Sequence, residues 1–375
     1  MLRVLRDDPS PSANLERRER SRHTRGSGWM PLSNAVSYPL WVNALLFVLS
    51  GVGIWFAGGR LTRNLDAIAV KTDMDHAFAG MLLLGGITSL PEVANVTTAS
   101  AIGNPALAIN NLLGSAAINI LLLAVVDAFI GRNAVTSIVA RPSTMMMATL
   151  GVLLLTMIAA LIVIGDVALL GVGPGSIAIG VAAVFFFWLA AGHDARSPWS
   201  VDQDGDGEPD APEAETDTEA SLTRLWTIVA LDGAIIFAAG YVLSNVGDAI
   251  ATQTGVTSAL VGFGLIGTAT SLPELVTIAT ALRIGRPEMA FGQVLGTNFV
   301  NLSLVPLADV VYRGGPVLNE LGRFEIVSAL LGAILIGVFM VGLLEHRDRT
   351  IFRMGVDSAV VILLFAAGFG LLATL

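Results

Sequence analysis

Two identical pentapeptides contain the residues of this chain that are best suited to chemistry. The sequence Thr-Ser-Leu-Pro-Glu occupies residues 88–92 and recurs, letter for letter, at residues 270–274, an offset of 182. Each copy places two hydroxyls, a proline and a carboxylate within a long apolar run. A carboxylate is costly inside a membrane, so Glu92 and Glu274 are candidate functional residues. Hydroxyl and carboxylate oxygens are the hard ligands that Ca²⁺, Mg²⁺ or Na⁺ requires.

The prolines should break the helices that contain them. Pro91 lacks the N–H that would bond to the carbonyl of Ile87, and Pro273 has the same relation to Ala269. Irregular backbone at membrane depth is tolerated only where it is buried in protein or lines a cavity. We therefore predict two broken helices with oxygen atoms gathered around each break. The hydroxyls at these breaks belong to Thr88, Ser89, Thr270 and Ser271.

The apolar run after each pentapeptide carries a further pair of polar residues. Ser115 and Asn119 are four residues apart and so share one helical face, and Thr297 and Asn301 repeat that spacing. Small polar residues also hold membrane helices together, which is the alternative interpretation of an isolated pair. Packing does not explain the two glutamates, because no intramembrane Lys or Arg is available nearby to neutralise them. A cation or protons must therefore balance their charge.

The composition is that of an integral membrane protein. Of the 375 residues, 54% are hydrophobic and 14% are charged, whereas soluble domains carry about 25% charged residues. Apolar runs of roughly 20 residues, the length that crosses a bilayer, recur along the chain. This favours an all-α polytopic membrane protein over the short alternating strands of a β-barrel. There is no Cys, which excludes disulfides and thiolate metal sites.

The apolar runs predict ten membrane spans in two groups of five. The first group is expected at about 38–59, 77–102, 106–130, 144–164 and 168–191, and the second at about 222–246, 256–282, 288–311, 323–344 and 351–374. The chain then divides into a polar, Arg-rich tail at 1–37, a first transmembrane repeat at 38–192, an acidic linker at 193–221 and a second transmembrane repeat at 222–375.

The offset of 182 extends well beyond the pentapeptides. It superimposes Asp66 on Asp248 and Gly114 on Gly296, and no gap is needed from about residue 53 to residue 122. Because five spans per repeat is an odd number, the second copy must enter the membrane from the opposite side. Inverted repeats of this kind place a substrate site near the midplane, between discontinuous helices. We therefore expect both pentapeptides to meet in one midplane cation site.

Loop charges give the expected orientation. The loops after odd-numbered spans hold about twelve Arg and Lys and the others about two, so the positive-inside rule makes the first group, with the acidic linker, cytoplasmic. The tail contradicts this orientation, because its seven arginines would then lie outside. Five loops agree with this orientation and only the tail disagrees, so we expect the orientation that the loops indicate. One hypothesis is that translation starts at Met30; peptides from residues 1–29 in the native protein would exclude it.

Localisation and partners follow from the same features. We expect a multi-pass protein of the plasma membrane that contacts the lipid bilayer and inorganic cations, with no nucleic acid and no obligatory protein partner. The net charge is −9, and Lys71 is the single lysine. An acidic, lysine-poor composition is typical of a salt-loving organism, and we expect a prokaryotic source.

The acidic linker contains a second candidate cation site. Its acidic side chains fit positions one, three, five and twelve of an EF-hand calcium loop: Asp202, Asp204, Asp206 and Glu213. Gly207 occupies position six, but Pro209 and Pro212 interrupt the loop. A solvated acidic tether is the alternative.

Both repeats resemble the α-repeats of the calcium/cation antiporter superfamily, specifically its sodium/calcium exchanger branch. The family pattern is Gly-Thr-Ser-Leu-Pro-Glu in one helix and Gly-Ser/Thr-Asn, then Asn or Asp, in the next. The first copy reads Gly-Ile-Thr-Ser-Leu-Pro-Glu at 86–92, with Gly-Ser at 114–115 and then Asn119. The second reads Gly-Thr-Ala-Thr-Ser-Leu-Pro-Glu at 267–274, with Gly-Thr-Asn at 296–298 and then Asn301. Ten spans and inverted repeats also match, so the resemblance covers about 38–375.

The resemblance implies a set of ion ligands drawn from both copies: Thr88, Ser89, Glu92, Ser115, Asn119, Thr270, Ser271, Glu274, Thr297 and Asn301. It also implies alternating access, in which the first and sixth spans slide past a rigid core. Two positions depart from the pattern. Ala116 replaces the usual Asn, and Asn301 stands where many sodium/calcium exchangers have Asp. Two carboxylates therefore remain, which balance one Ca²⁺ or two monovalent ions, protons included.

The predicted function is secondary antiport of Ca²⁺ against Na⁺, with exchange of Ca²⁺ or another divalent cation for H⁺ as the alternative. The transported ions are substrates, and no cofactor is expected. A cation channel is a rival, but broken inverted helices argue against it. An intramembrane enzyme would need a nucleophile–base pair or an open metal site, and no His or Cys is predicted at membrane depth. A membrane sensor without transport is a further rival that flux measurements would distinguish.

Overall fold

The computed structural model describes residues 35–130, 142–169, 171–191, 220–254, 263–264, 267–345, 350–351 and 354–375. Within these ranges the chain is a polytopic bundle of helices, as its composition predicts. The polar tail up to residue 34 and the acidic linker from 193 to 219 lie outside the described residues. The EF-hand hypothesis for Asp202, Asp204, Asp206 and Glu213 therefore stays a prediction.

The first half of the chain begins with one long helix and continues with an interrupted one. The described helices are α1 (Leu40–Thr72), α2 (His76–Ala79), α3 (Gly85–Thr88), α4 (Leu90–Ala101), α5 (Pro105–Ile130), α6 (Pro142–Ile164) and α7 (Pro174–Ala191). A π-helical turn at Gly80–Leu84 joins α2 to α3. Helices α2 to α4 together form one span, interrupted at Ser89.

The second half repeats this order of elements. The described elements are α8 (Leu222–Thr254), α9 (Gly267–Thr270), α10 (Leu272–Arg283), α11 (Pro287–Leu302), α12 (Val305–Val311), a 3₁₀ turn (Val317–Glu320), α13 (Arg323–Glu345), the strands β1 (Thr350–Ile351) and β2 (Met354–Gly355), and α14 (Val356–Leu372). The two strands form a short antiparallel hairpin in which Thr350 lies opposite Gly355.

Seven helical spans within the described residues are long and apolar enough to cross a membrane. Two further apolar helices are shorter, at Pro174–Ala190 and Val356–Leu372. The predicted span at about 256–282 is described only in part, so the count of ten spans stays a prediction.

The sequence offset of 182 is also an offset between helices. Helix α1 maps onto α8, α3 onto α9 and α4 onto α10 with both bounds shifted by 182 residues, and the first residues of α5 and α11 differ by the same amount. The π-helical geometry before the first break has its counterpart at 263–264. The repeat therefore specifies the same interruptions as well as the same helices.

Helices α1 and α8 are longer than the spans predicted at 38–59 and 222–246. Each has 33 residues, or about 50 Å, against a hydrocarbon core of about 30 Å. The apolar run ends at Arg60, but the helix continues until Asp73, which closes it in a left-handed conformation with φ 53°. The two helices pack against each other along most of their length. Such lengths require tilt or extension beyond the bilayer.

Helix α5 lies at the centre of the bundle. Leu112, Leu113 and Ile120 are buried, as is most of the helix before its last turns, which is expected for a helix surrounded by protein. It contacts α4, α10, α11, α13 and α14. Polar residues on α5 are therefore held inside the protein and away from lipid.

Two buried aspartates extend the repeat beyond the segment that sequence comparison aligned. Asp127 on α5 accepts hydrogen bonds from Gly355 N (2.9 Å) and Ser358 Oγ (2.6 Å) at the start of α14. Its equivalent, Asp309 on α12, accepts the corresponding bonds from the first turn of α7: Gly173 N at 2.7 Å and Ser176 Oγ at 2.5 Å. Both carboxylates therefore satisfy free N–H groups at a helix start.

Candidate cation site

Each pentapeptide interrupts its helix for a single residue. Ser89 lies between α3 and α4 with φ −78° and ψ −3°, and Ser271 lies between α9 and α10 with φ −85° and ψ 6°. Pro91 and Pro273 occupy the first turn after each break, where a missing N–H is tolerated. Hydrogen bonding resumes at once, since Val93 N donates to Ser89 O at 3.3 Å. The predicted breaks are present, and they are local.

Glycines let the two repeats approach each other at these breaks. A side chain at Gly114 on α5 would collide with the backbone of Phe263, which precedes α9. In the other repeat, a side chain at Gly296 on α11 would collide with the backbone of Met81, which precedes α3. Each polar helix of one repeat therefore packs directly on the broken helix of the other. This close approach is what the two glycines predict.

All ten predicted ligand residues are buried at 0% exposure. They lie on the two broken helices and on the two helices packed against them: Thr88, Ser89, Glu92, Ser115, Asn119, Thr270, Ser271, Glu274, Thr297 and Asn301.

Ser115 joins the two repeats. Its hydroxyl donates to Glu92 Oε1 at 3.2 Å and lies 3.4 Å from Thr270 Oγ1 of the second repeat. Thr270 in turn lies 3.4 Å from Asn111 Oδ1, back in the first repeat. The pentapeptides, 182 residues apart in sequence, therefore contribute to one polar cluster.

The hydroxyls at the first break donate to backbone carbonyls of the preceding helical turn. Thr88 Oγ1 donates to Leu84 O at 2.9 Å and Ser89 Oγ donates to Gly85 O at 2.8 Å. A hydroxyl has one proton and two lone pairs. Because the proton is used by the helix backbone, the lone pairs of Thr88 and Ser89 remain available to a cation.

Several polar atoms of the predicted residues have no hydrogen-bond partner despite their burial. They are Glu92 Oε2, both carboxylate oxygens of Glu274, Asn119 Oδ1, Ser271 Oγ, Thr297 Oγ1, and both Oδ1 and Nδ2 of Asn301. Buried polar groups are almost always paired, and each exception requires an explanation. Most of these atoms are oxygens, so a bound cation would satisfy them.

The two glutamates differ from every other buried acid in the described part of the chain. Five other acidic side chains are buried there: Asp66, Asp127, Asp232, Asp309 and Glu325. Each of the five is paired with an Arg or held by at least two donors, as when Glu325 accepts from Asn110 Nδ2 (2.9 Å) and Gly322 N (2.7 Å). Glu92 accepts one hydrogen bond, from Ser115, and Glu274 accepts none. These two carboxylates alone lack compensation among the buried acids described.

Three basic side chains in the described part of the chain are paired with aspartates. Arg60 contacts Asp232 at 2.5 Å, and Arg286 and His76 contact Asp66 at 2.8 Å and 3.0 Å. Neither Glu92 nor Glu274 forms an ion pair among the described residues. The described residues also contain no cluster of three or more His, Asp and Glu that could hold a metal. A cation bound here would be held by two carboxylates, hydroxyls and amides.

The structure adds polar residues that the sequence prediction did not include. Asn298 on α11 accepts a hydrogen bond from Asn119 Nδ2 at 3.2 Å. Asn111 and Gln293 lie one helical turn before Ser115 and Thr297, and both are buried. Asn111 and Gln293 are equivalent at the offset of 182, and this equivalence is the sequence feature that could have identified them. Among the described residues, no hydrogen bond joins Ser89, Ser271 or Asn301 to either carboxylate.

The sequence profile of a family described as "Sodium/calcium exchanger protein" matches residues 42–191 and 224–374, which is most of the chain. A putative antiporter, CaxA of Alkalimonas amylolytica, is 25% identical over 334 residues, covering 86% of this chain and 96% of that protein. The sodium/calcium exchanger MaX1 of Methanosarcina acetivorans is 33% identical over 81 residues, 22% of this chain and 23% of MaX1.

Solved structures of the sodium-calcium exchanger NCX_Mj have a similar fold. One, soaked with 2.5 mM Na⁺ and 0.1 mM Sr²⁺, aligns with a TM-score of 0.62 at 16% identity, covering 88% of this chain and 99% of NCX_Mj. Another, soaked with zero Na⁺ and Ca²⁺, gives a TM-score of 0.63 over 89% of this chain and 100% of NCX_Mj. At this identity the likeness concerns the helical fold alone.

Proposed function

Because this chain belongs to the sodium/calcium exchanger protein family, we propose that it exchanges Ca²⁺ for Na⁺ across the plasma membrane by alternating access. The family consists of antiporters, so the chain is a multi-pass cation antiporter. The identity of the exchanged ions and the residues that bind them are the proposal. The ligands are the ten predicted residues, with Glu92 and Glu274 supplying the charge.

One observation carries the proposal. Glu92 and Glu274 are fully buried, unpaired with any described basic residue, and placed at equivalent breaks of two repeats that meet through Ser115. An uncompensated buried carboxylate costs several kcal/mol. A compensating cation removes that cost, whereas a purely structural role would leave it unexplained. Hydroxyl and amide oxygens around the carboxylates suit Ca²⁺ and Na⁺.

The same charge explains coupling between the two ions. The carboxylates cannot cross a low-dielectric region without compensation, so the site must be occupied before it is exposed to the other side. Ca²⁺ and monovalent ions compete for the same two negative charges. In this mechanism α1 and α8 slide past the core that holds the site, and each ion leaves only when its competitor replaces it.

Exchange of Ca²⁺ for H⁺ is the second candidate. It is favoured by Asn301, which is fully buried and neutral where a third carboxylate would otherwise add charge. Two carboxylates can release one Ca²⁺ by taking up two protons, and no further ligand is required. The two candidates predict different driving gradients.

The decisive experiment measures Ca²⁺ uptake into proteoliposomes under an imposed Na⁺ gradient and then under a pH gradient. Uptake driven by Na⁺ supports the first candidate, and uptake driven only by the pH gradient supports the second. Glu92→Gln should abolish uptake under either gradient because it removes half of the compensating charge. Glu345→Gln, at the exposed end of α13, is the matched control and should transport normally. Full exchange by Glu92→Gln would refute the assigned role of Glu92.

Regulation by the acidic linker is a separate proposal, with the linker on the cytoplasmic side. If Asp204 and Asp206 bind regulatory Ca²⁺, Asp204→Ala/Asp206→Ala should change the Ca²⁺ dependence of transport while leaving maximal transport intact. An unchanged dependence would identify the linker as a solvated tether.

A further inference from the structure

Two repeat-equivalent positions face each other where α5 and α11 meet. Ala116 and Asn298 are related by the offset of 182, and Asn298 Nδ2 donates to the Ala116 carbonyl at 3.3 Å. The other end of the same amide, Asn298 Oδ1, accepts from Asn119 Nδ2 at 3.2 Å. Asn298 is 3% exposed, and Ala116 and Asn119 are fully buried. A single buried amide thus connects the backbone of one repeat to a predicted ligand.

These hydrogen bonds determine the orientation of the Asn298 and Asn119 side-chain amides. A carbonyl can only accept, so the Ala116 oxygen selects the NH₂ end of Asn298. Asn298 must then present its oxygen to Asn119, and this oxygen selects the NH₂ end of Asn119. The Asn119 oxygen remains without a partner, on the helix that also carries Ser115. Only an amide oxygen can bind a cation, so this orientation is the one that suits a ligand.

Asn301, the repeat equivalent of Asn119, has no comparable support. The position that would supply an amide to it is Ala116, which has no polar side chain. Both Nδ2 and Oδ1 of Asn301 lack a hydrogen-bond partner, although the residue is fully buried. The two asparagines therefore share a position in the repeat but differ in what holds them.

We propose that Asn298 is a positioning residue that holds the Asn119 amide with its oxygen toward the cation, which makes the two half-sites unequal. Asn119 is a preoriented ligand, whereas the orientation of the Asn301 amide is set by the ion alone. Preorientation lowers the cost of binding, so Asn119 contributes more to affinity than Asn301 does. This inference rests on the proposed function, because it assumes that the cluster binds a cation.

A double-mutant cycle tests the inference through equilibrium binding of ⁴⁵Ca²⁺ to the purified full-length protein. Asn298→Ala should weaken binding about tenfold, as loss of a residue that orients a metal ligand typically does. Asn298→Ala should add nothing further in an Asn119→Ala background, because the oriented ligand is already gone. In an Asn301→Ala background it should keep its full effect. Unchanged binding by Asn298→Ala, or additivity with Asn119→Ala, would overturn the proposal.

Exchanging the two residues provides the rescue. Ala116→Asn/Asn298→Ala moves the amide to the other repeat while conserving volume and charge. Binding should return to within about threefold of the wild type, and Asn301→Ala should now weaken binding as much as Asn119→Ala does in the wild type. A swapped protein that keeps its dependence on Asn119 would contradict the positioning role. Its melting temperature checks that it is folded.

A readout without Ca²⁺ separates this inference from the proposed function. With ¹⁵N-labelled Asn in nanodiscs, the Asn119 side-chain NH₂, identified by its loss in Asn119→Ala, should exchange slowly with deuterium. The exchange should become fast in Asn298→Ala. If the wild type binds neither ⁴⁵Ca²⁺ nor ²²Na⁺, the proposed function fails, and the amide exchange still decides whether Asn298 orients Asn119.

Discussion

Glu92 and Glu274 are distinguished by the partners they lack. Asp127 and Asp309 bind the first turns of α14 and α7, and Glu325 accepts two hydrogen bonds. A carboxylate with such partners stabilises the fold, whereas one without them requires a proton or a cation. Burial alone therefore does not identify a functional acid in this protein. Burial without compensation is the feature that supports the proposed role of Glu92 and Glu274.

Substitution of the two kinds of carboxylate should have opposite signatures. Glu325→Gln should lower the free energy of unfolding by about 1–3 kcal/mol, because it disturbs a satisfied buried acceptor, while Ca²⁺ continues to raise the melting temperature. Glu274→Gln should cost little stability and abolish that response, which amounts to about 2.7 kcal/mol at a Ca²⁺ concentration of 100 times Kd. Thermal unfolding in detergent with and without Ca²⁺ measures both. An intact Ca²⁺ response in Glu274→Gln would remove Glu274 from the site.

At the scale of elements, α1 and α8 form the longest helix pair and carry their own ion pair. Arg60 on α1 binds Asp232 on α8 through Nε, at 3.0 Å from each carboxylate oxygen, and through a terminal guanidinium nitrogen at 2.5 Å. Asp232 is fully buried, whereas the Arg60 side chain is 53% exposed. Because both partners belong to the helices proposed to slide, the pair can persist through the transport cycle.

Breaking this pair from either side should have unequal costs. Arg60→Leu leaves a buried unpaired carboxylate and should destabilise the protein by about 3 kcal/mol. Asp232→Asn leaves a charge on a half-exposed side chain that water can solvate, so it should cost less, within about 1 kcal/mol. The double substitution Arg60→Leu/Asp232→Leu should recover most of the loss. If thermal unfolding shows that the two single variants lose equal stability, the buried Asp232 carboxylate does not depend on Arg60 for compensation.

The helices of the repeat and their interruptions were only partly predictable from the sequence. The pentapeptides and prolines predicted both interruptions, and Ser89 and Ser271 occupy them. The length of α1 beyond Arg60 was not predicted, because the predicted span ends where the apolar run meets charged residues. The helix itself continues, since it is packed against α8. Asp127 and Asp309 were not predicted either, since their role depends on the first turns of α14 and α7, which are distant in sequence.

For the whole molecule, the decisive quantity is the charge carried by the site. In the proposed mechanism two carboxylates balance one Ca²⁺ or two monovalent ions, so each form of the loaded site is neutral. Exchange of two monovalent ions for one Ca²⁺ moves no net charge. The membrane potential should therefore have almost no effect on the rate, whereas one net charge crossing 100 mV would represent about 2.3 kcal/mol.

Adding a carboxylate should change this behaviour. Asn301→Asp adds a third negative charge to the proposed site and should let an additional monovalent ion accompany each cycle, so that exchange becomes sensitive to potential. Asn301→Ser, which keeps the position neutral, is the control and should remain insensitive. Flux in proteoliposomes with the potential set by K⁺ and valinomycin measures the effect. Strong potential dependence in the wild type would exclude electroneutral exchange.

Local composition and a constant spacing of 182 residues were enough to predict the membrane class, the repeat, the two breaks and the ten candidate ligands. Contacts between distant helices set which acids are compensated and which of Asn119 and Asn301 is held by a neighbouring amide. Glu325 and Glu274 are both buried glutamates, and only their neighbours from distant helices separate them. Likewise, Asn119 and Asn301 are equivalent in the repeat, but Asn298 reaches only Asn119. Hydrogen bonding and charge compensation depend on contacts across the chain, which spacing along it does not specify.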